Sequence, residues 1–312
     1  MTTEKYGKVI KGLGGLYETL IKTADGTEIC VCRAKGNLRR DEEKVLIGDN
    51  VKIIEDTDTP DGVIISEILP RKNSLIRPPM ANLDCLFIVF AAAKPAPVLE
   101  TVDKLIAIAE HNEISPAVII TKSDVDASEA YKLRSIYELS GIPAFVTSAS
   151  DGEGIAELSE YIRSTVRGGA TAAFAGASGV GKSTLMNSLF PDLSLATAEI
   201  SKKIQRGRHT TRHVEIFAID NGEAGGFLAD TPGFSLIDFA RFDFFELDSL
   251  VSSFREFLPY VGKCRYADCA HVGEGVDECA IMRAVSEGKI AGTRLESYRS
   301  IYHVLKNKNK YE

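Results

Sequence analysis

One eight-residue segment restricts the fold of this 312-residue chain more than any other. Residues 176–183 read Gly-Ala-Ser-Gly-Val-Gly-Lys-Ser, which matches the phosphate-binding loop G-x-x-x-x-G-K-S. An apolar, strand-like segment at 172–175 precedes the loop, and a helical pattern at 182–190 follows it. Because this loop works between a strand and a helix, its context predicts an α/β nucleotide-binding domain. The candidate phosphate-binding residues are Gly176, Ala177, Ser178, Gly179, Val180, Gly181, Lys182, Ser183 and Thr184.

Side chains in and after this loop have separate expected roles. Lys182 is expected to reach the β- and γ-phosphates, and Ser183 to give its hydroxyl oxygen to Mg²⁺. Further along the chain, residues 230–233 read Asp-Thr-Pro-Gly at the end of a second apolar strand. There we expect Asp230 to hold Mg²⁺ through a water and the amide of Gly233 to contact the γ-phosphate.

A switch segment is expected at 206–212, which reads Arg-Gly-Arg-His-Thr-Thr-Arg. Either Thr210 or Thr211 can supply the Mg²⁺ ligand that binds only when the γ-phosphate is present, and the sequence does not choose between them. Many GTPases place a water-orienting Gln where this chain has Phe234. A phenyl ring cannot orient water, so slow intrinsic turnover is expected, with His209 as the candidate catalytic residue. The alternative for His209 is a solvated or RNA-facing side chain.

Base selection is predicted at two segments that follow strands. Residues 121–124 read Thr-Lys-Ser-Asp, and 148–150 read Ser-Ala-Ser. A carboxylate at position 124 can accept hydrogen bonds from both guanine N1–H and N2–H₂, a pair of donors that adenine lacks. The second segment can present a backbone N–H to guanine O6. The candidate guanine-binding residues are Thr121, Lys122, Ser123, Asp124, Ser148, Ala149 and Ser150.

The order of these motifs determines the predicted topology. The base-binding segments come before the phosphate loop, an order that resembles the circularly permuted GTPases. Alternating strand and helix patterns between them predict a parallel sheet, which binds ligands at the carboxyl ends of its strands. The predicted fold class is α/β, with a circularly permuted P-loop GTPase domain.

The first 70 or so residues have a different pattern, five short strands with Gly-rich connections. This predicts a small closed barrel, either an OB-like (oligonucleotide/oligosaccharide-binding) fold or an SH3-like one, and the pattern does not separate the two. The predicted strands are 6–11, 16–22, 27–33, 50–55 and 63–69.

The region after residue 236 has a helical pattern that is interrupted by a Cys/His cluster. Three thiolates and one imidazole form a normal closed tetrahedral set for zinc, which predicts a structural metal site. The four candidate ligands are Cys264, Cys269, His271 and Cys279.

With a barrel in front and this cluster behind, the chain resembles the ribosome small-subunit-dependent GTPase A family over essentially its whole length. The segments 48–51 (Gly-Asp-Asn-Val), 82–84 (Asn-Leu-Asp) and 206–211 also carry the resemblance. It implies an OB-like, RNA- or ribosome-binding barrel at 1–72, a permuted GTPase domain at 73–235 and a helical zinc-binding domain at 236–312.

The resemblance also implies a function. The protein would hydrolyse GTP to GDP and phosphate on the small ribosomal subunit, in late maturation of that subunit, with the subunit stimulating hydrolysis. GTP or GDP, the subunit and its rRNA would be the partners. One structural Zn²⁺ per chain and Mg²⁺ with GTP would be the cofactors.

Two positions depart from the family pattern. The base motif normally begins with an Asn that ties the base loop to the phosphate loop, so Thr121 predicts weaker guanine binding. The interval between His271 and Cys279 is longer than usual, which makes Cys279 the ligand most in need of a test.

Composition limits the remaining possibilities. The net charge of −7 argues against a simple nucleic-acid coat protein. No apolar run approaches the roughly 20 residues needed to cross a bilayer, and we expect a cytoplasmic monomer without a membrane partner. Two alternatives stay open: a nucleotide-gated RNA-binding switch with negligible catalysis and, because of Thr121, an ATP-using NTPase of the same architecture.

Overall fold

The computed structural model describes most of the chain, namely residues 4–23, 26–36, 38, 44–55, 62–76, 78–191, 214–219, 225–230 and 246–308. The chain divides into two compact units. The first unit comprises Met1–Asp84, Arg163–Phe174 and Ile204–Phe234, and the second comprises Cys85–Ile162, Ala175–Lys203 and Ser235–Glu312.

Strands dominate the first part of the chain, and helices the last. The strands are β1 Glu4–Leu13, β2 Leu16–Thr23, β3 Gly26–Ala34, β4 Asn50–Glu55, β5 Val63–Ile68, β6 Ser74–Ile76, β7 Pro79–Ala81, β8 Cys85–Ala91, β9 Ser115–Thr121, β10 Ala144–Val146, β11 Thr171–Ala175, β12 Glu215–Ile219 and β13 Gly226–Asp230. The α-helices are α1 Leu99–His111, α2 Ala127–Leu139, α3 Ile155–Val166, α4 Lys182–Leu189, α5 Ala280–Ser286 and α6 Gly292–Lys308.

In the first unit, the first five strands form a closed barrel in the order β1-β2-β3-β5-β4. Neighbouring strands are antiparallel, except for the parallel pair β3 and β5, and pairing of β1 with β4 closes the barrel. The five predicted strands are thus confirmed, and the arrangement is consistent with an OB-like barrel. Alternate residues point inward and form its core, which includes Val9, Ile21, Cys32, Val51, Ile53 and Ile65.

Two segments that carried the family resemblance contact each other in this unit. Gly48 has a φ of 90°, and a side chain there would overlap the carbonyl oxygen of Ala81. The side-chain Nδ2 of Asn82 donates to the Gly48 carbonyl oxygen at 3.0 Å. The fully buried Asp49 accepts from Arg71 Nε at 2.7 Å and from Nη2 at 2.9 Å. The two short motifs therefore fix the end of the barrel to the chain that leaves it.

The second unit contains the parallel strands β8, β9 and β10, in the order β10-β9-β8. Every residue of β8 is buried, and so is all of β9 except Ser115. Continuous apolar runs of this kind are typical of parallel strands that are covered on both faces. The parallel pairing of β8 with β9 begins at Cys85, opposite Ser115.

The C-terminal region is less regular than the helical pattern predicted. Three short 3₁₀ helices come first, at Leu247–Ser249, Val251–Ser253 and Arg255–Tyr260, and α-helix resumes only with α5. In the described part of the chain, no helix has both the length and the apolar character that crossing a bilayer requires.

A buried ion cluster joins this region to α1 within the second unit. The Arg294 side chain, which is fully buried, donates from Nη1 to Asp103 Oδ1 at 2.7 Å and from Nε to Glu256 Oε1 at 2.6 Å. Its guanidinium also lies 4.6 Å from the ring centroid of Phe254. Burial is the largest influence on the Asp103 carboxyl and raises its pKa, although the charge of Arg294 opposes the rise. Removal of any one of the three groups would leave a buried charge without its partner.

Candidate nucleotide site and metal centre

The phosphate loop lies between β11 and α4, as the sequence predicted. Gly176 packs so closely on β8 that a side chain would overlap the carbonyl oxygen of Val89. Gly179 and Gly181 have φ values of 80° and 93°, a conformation that residues with a side chain rarely adopt. These glycines let the loop turn tightly into the N-terminus of α4, where free backbone N–H groups favour an anion.

The side chain of Lys182 folds back over the phosphate loop. Lys182 Nζ donates to the carbonyl oxygen of Gly176 at 2.6 Å, so the ammonium sits over the loop from which it extends. Ser183 and Thr184 are exposed at the start of α4. The arrangement can neutralise the β- and γ-phosphates of a nucleotide and present one hydroxyl to a metal ion.

The base loop is tied to the phosphate loop through Thr121, the last residue of β9. Its hydroxyl donates to the carbonyl oxygen of Val180 at 2.5 Å and lies 3.2 Å from that of Phe90. The side chain is buried, so this hydrogen bond is shielded from water. We expected weaker guanine binding because the usual Asn tie is replaced. The threonine hydroxyl forms a tie of its own to the phosphate loop, and weaker guanine binding stays a prediction.

A second contact between the two loops comes from Lys122. Its Nζ donates to the carbonyl oxygen of Gly179 at 2.7 Å and to that of Lys94 at 2.6 Å. The backbone of Lys122 has a φ of 61°, which turns the chain sharply at the end of β9. The lysine stem therefore bridges the base loop and the phosphate loop, where it can cover one face of a purine.

The two predicted guanine segments also meet. Ser148 Oγ donates to Asp124 Oδ1 at 3.0 Å, and the amide of Ser123 donates to the Thr147 carbonyl oxygen at 3.3 Å. Ser150 Oγ lies 2.8 Å from Ser148 Oγ. The hydrogen bond from Ser148 orients the Asp124 carboxylate. Because Asp124 is exposed, that carboxylate remains accessible to a base.

Sequence reasoning missed Glu153, which hydrogen-bonds to residues of both guanine segments. Its Oε2 accepts from Ser123 Oγ at 2.5 Å, and its Oε1 accepts from the Tyr131 hydroxyl at 2.8 Å. Its carbonyl oxygen accepts from the amide of Ser148 at 3.0 Å. The signal in the sequence was the neighbouring glycine at position 154. The structure explains why a glycine stands there, because Gly154 has a φ of 67° and a side chain would overlap the Val146 carbonyl oxygen.

The remaining predicted nucleotide-binding residues lie at the end of a described range or outside the described residues. Asp230 is the last residue of β13, and its backbone pairs with Glu215 of β12. Its side chain lies outside the described residues, as do His209, Thr210, Thr211 and Gly233. The roles of these five residues stay predictions.

The predicted Cys/His cluster assembles in the second unit. The ligand atoms of Cys264, Cys269, His271 and Cys279 all lie within 4.8 Å of one another. His271 Nδ1 lies 3.6, 3.3 and 3.4 Å from the sulfurs of the three cysteines in that order, and Cys264 Sγ lies 3.8 Å from Cys279 Sγ. The four groups, Cys279 included, could hold one metal ion.

Surrounding groups fix this centre in place. The amide of Ala280, at the start of α5, donates to Cys264 Sγ at 3.3 Å. The Glu274 carboxylate accepts from the amide of Ala270 at 3.0 Å and from that of Val272 at 2.8 Å, which folds the loop around His271. Burial lowers the pKa of His271, which favours the neutral imidazole that a metal requires.

Two family models match consecutive parts of the chain between residues 6 and 240. The model described as RsgA N-terminal domain matches residues 6–64, and the model described as RsgA GTPase matches residues 68–240. This chain belongs to the RsgA GTPase family. It is a GTPase, and the predicted function class and family resemblance are confirmed.

RsgA proteins of similar length are among its relatives. The chain is similar to "Small ribosomal subunit biogenesis GTPase RsgA" of Agathobacter rectalis, with 38% identity over 313 residues that cover 98% of this chain and 99% of the relative. A protein of the same name from Caldanaerobacter subterraneus subsp. tengcongensis is 40% identical over 305 residues, which cover 97% of each chain.

Solved structures extend the RsgA likeness to the fold. The crystal structure of YjeQ from Thermotoga maritima matches with a TM-score of 0.78 and 30% identity, covering 97% of this chain and 99% of YjeQ. YloQ, described as a circularly permuted GTPase, matches with a TM-score of 0.75 and 29% identity, covering 98% of this chain and 96% of YloQ. The predicted circularly permuted α/β fold is therefore confirmed.

Proposed function

We propose that this GTPase acts in the biogenesis of the small ribosomal subunit, binds that subunit and its rRNA, and hydrolyses GTP faster when bound. Relatives that carry this role in their names align with the chain from end to end. The site itself supports the GTP half of the proposal. We place the protein in the cytoplasm as a monomer and keep 1–72, 73–235 and 236–312 as its proposed domains.

One observation carries the choice of nucleotide. The base loop precedes the phosphate loop in sequence, yet Thr121 and Lys122 reach Val180 and Gly179 directly. A ligand that binds both loops must be a nucleotide whose phosphates lie along 176–183 and whose base lies beside Asp124. An exposed carboxylate there accepts from guanine N1–H and N2–H₂, so the ATP-using alternative is disfavoured.

The chain's own residues then divide the work of hydrolysis. Lys182 and the loop amides bind the phosphates, and Asp124 orients the base. Ser183, Asp230 and either Thr210 or Thr211 would hold Mg²⁺, which neutralises charge on the β- and γ-phosphates when it is bound. His209 is our proposed catalytic residue, which would orient the attacking water, a task that a phenylalanine at position 234 cannot perform.

The Cys/His cluster is proposed to hold one structural Zn²⁺. Zinc–sulfur bonds of about 2.3 Å in a tetrahedron separate two sulfurs by about 3.8 Å, the same as the distance between Cys264 Sγ and Cys279 Sγ. Four protein ligands leave no open position for a substrate, so the ion would stabilise the C-terminal region and supply no chemistry.

The test is GTP turnover by the purified full-length chain, alone and with isolated small ribosomal subunits. Large subunits at the same concentration serve as the control. We expect slow turnover alone, a large increase with small subunits and little change with large ones. Equal turnover in all three mixtures would refute the proposed role and would favour a nucleotide-gated RNA-binding switch if GTP-dependent subunit binding persisted.

His209→Ala separates catalysis from binding in the same assay. Loss of a group that positions the attacking water should lower subunit-stimulated kcat by roughly 10²–10⁴ and leave GTP affinity nearly unchanged. Unchanged stimulated turnover would remove His209 from the catalytic machinery and leave the rest of the proposal standing.

A further inference from the structure

Strand β1 of the barrel lies against three strands that lead toward the nucleotide-binding segments. Lys8 Nζ donates to Thr171 Oγ1 of β11 at 3.2 Å and lies 5.2 Å from the ring centroid of Phe227 of β13. Three residues further along β1, Lys11 Nζ donates to Glu215 Oε1 of β12 at 3.0 Å. The barrel is therefore attached by side-chain contacts to β11, β13 and β12, all within the first unit.

The end of β12 that Lys11 contacts is the end that lies beside Asp230. Strands β12 and β13 are antiparallel, and Glu215, the first residue of β12, pairs with Asp230, the last residue of β13. On its other side, β13 pairs with β11 from Phe227 to Ala229, which stops one residue before Asp230. Among the described strands, Glu215 is therefore the residue that pairs with the backbone of Asp230.

Lys11 and Glu215 form an ion pair at the edge of the sheet. Their side chains are 39% and 28% exposed, so water screens the pair only in part. The hydrogen bond to Glu215 is the largest influence on the Lys11 ammonium and raises its pKa. In the described part of the sheet, β12 is the edge strand and has β13 on one side. Because an edge strand has ladder hydrogen bonds on one side only, a side-chain contact has more influence on its position.

The barrel also holds the residue that precedes Glu215. Val214 is 4% exposed, and it lines a cavity of about 240 Å³ together with Gly12 and Tyr17 of the barrel. A buried valine and an ion pair therefore fix the start of β12 to the barrel.

We propose that Lys11 is a positioning residue for the Mg²⁺ that binds with GTP. It acts through Glu215, which sets the backbone position of Asp230 at the end of β13. This inference rests on the proposed function, in which Asp230 is a magnesium ligand. Because Mg²⁺ demands near-ideal octahedral geometry, a small displacement of one ligand group weakens its binding. Lys11 should therefore affect only the part of nucleotide affinity that depends on Mg²⁺.

The experiment measures the affinity of the full-length protein for a fluorescent, non-hydrolysable GTP analogue with saturating Mg²⁺ and without Mg²⁺. The Mg²⁺-free buffer contains no chelator, so that a metal ion in the Cys/His cluster is not removed. Lys11→Met and Glu215→Gln should each weaken binding about threefold with Mg²⁺, which corresponds to about 0.7 kcal/mol. A change of this size is usual for a partly exposed ion pair. Without Mg²⁺, both variants should bind like the original chain.

Three further variants test whether the ion pair itself is responsible. The double variant Lys11→Met/Glu215→Gln should lose the same threefold as either single variant, because both changes remove one shared interaction. Lys11→Arg keeps the charge and should bind within about 1.5-fold of the original chain. Lys52→Met is the matched control, since Lys52 pairs at 2.7 Å with Glu4 of the barrel itself, and it should bind unchanged.

The dependence on Mg²⁺ decides between positioning and a general structural role. Equal losses with and without Mg²⁺ would overturn the inference, and so would a loss of about ninefold in the double variant or a threefold loss in Lys52→Met. Mg²⁺-dependent binding that Lys11→Met leaves unchanged would overturn this inference alone. If the original chain binds the analogue equally well without Mg²⁺, the proposed magnesium site fails as well. Thermal melting of each variant checks that the fold is intact.

Discussion

Replacement of Thr121 by valine tests whether one hydroxyl holds the nucleotide site together. Valine has nearly the same shape as threonine, so the packing of the end of β9 should survive. The change removes the donor that reaches Val180 at 2.5 Å and lies 3.2 Å from the Phe90 carbonyl oxygen. Buried acceptors left without a partner cost about 1–3 kcal/mol each.

The loss should appear in nucleotide affinity because Val180 belongs to the phosphate loop. If about 1.4 kcal/mol of the cost falls on the bound conformation of that loop, GDP affinity drops about tenfold. Titration with a fluorescent GDP analogue measures this change directly. Thr121→Ser keeps the hydroxyl and should bind within about twofold of the original chain.

The order of the three affinities decides the matter. Threonine and serine should be close together, with valine clearly weaker. Equal affinity in Thr121→Val and the original chain would show that the tie is unimportant for binding. An equal loss in the serine and valine variants would show that keeping the hydroxyl does not preserve binding, which would refute the argument from the hydrogen bond.

Three further predictions concern the second unit. Arg294→Met leaves two buried carboxylates unpaired and should cost about 3–5 kcal/mol in urea unfolding at neutral pH. Burial raises the pKa of the Asp103 carboxyl in the folded state. Because the folded variant therefore binds more protons than its unfolded chain, its loss of unfolding free energy should shrink as the pH falls toward 5. A loss that does not change with pH would refute the charge argument. Cys279→Ser should release bound metal in elemental analysis and lower the thermal midpoint, whereas Cys30→Ser, outside the cluster, should do neither; retained metal would exclude Cys279 as a ligand. Glu153→Gln should weaken GDP binding about threefold to tenfold with kcat unchanged at saturating GTP, and a change confined to kcat would contradict a positioning role.

Much of the candidate site could be predicted because its chemistry is written in short segments. The phosphate loop, the base-binding segments and the Cys/His spacing each contain most of their ligand groups within a few residues. The five barrel strands were also predictable, since alternation along each strand and glycine between strands are local signals. The barrel type remained open, because parallel pairing of β3 with β5 is a contact between distant parts of the chain.

The contacts that sequence reasoning missed join residues far apart along the chain. Glu153 meets Ser123 only after β9 and β10 have aligned, and Arg294 meets Asp103 across 191 positions. The hydrogen bond from Thr121 to Val180 spans 59 positions. The sequence alone therefore could not show that a threonine in place of the usual Asn still connects the base loop to the phosphate loop.

The sequence by itself determined which chemistry this protein can perform, because a glycine-rich loop, a lysine, an aspartate and a set of thiols have their properties wherever they are placed. Only the tertiary structure decided how those groups are oriented and which of them are buried. Hydrogen-bond strength, charge stabilisation and cavity shape depend on distances between remote residues, and those distances exist only once the strands have paired and the core has packed.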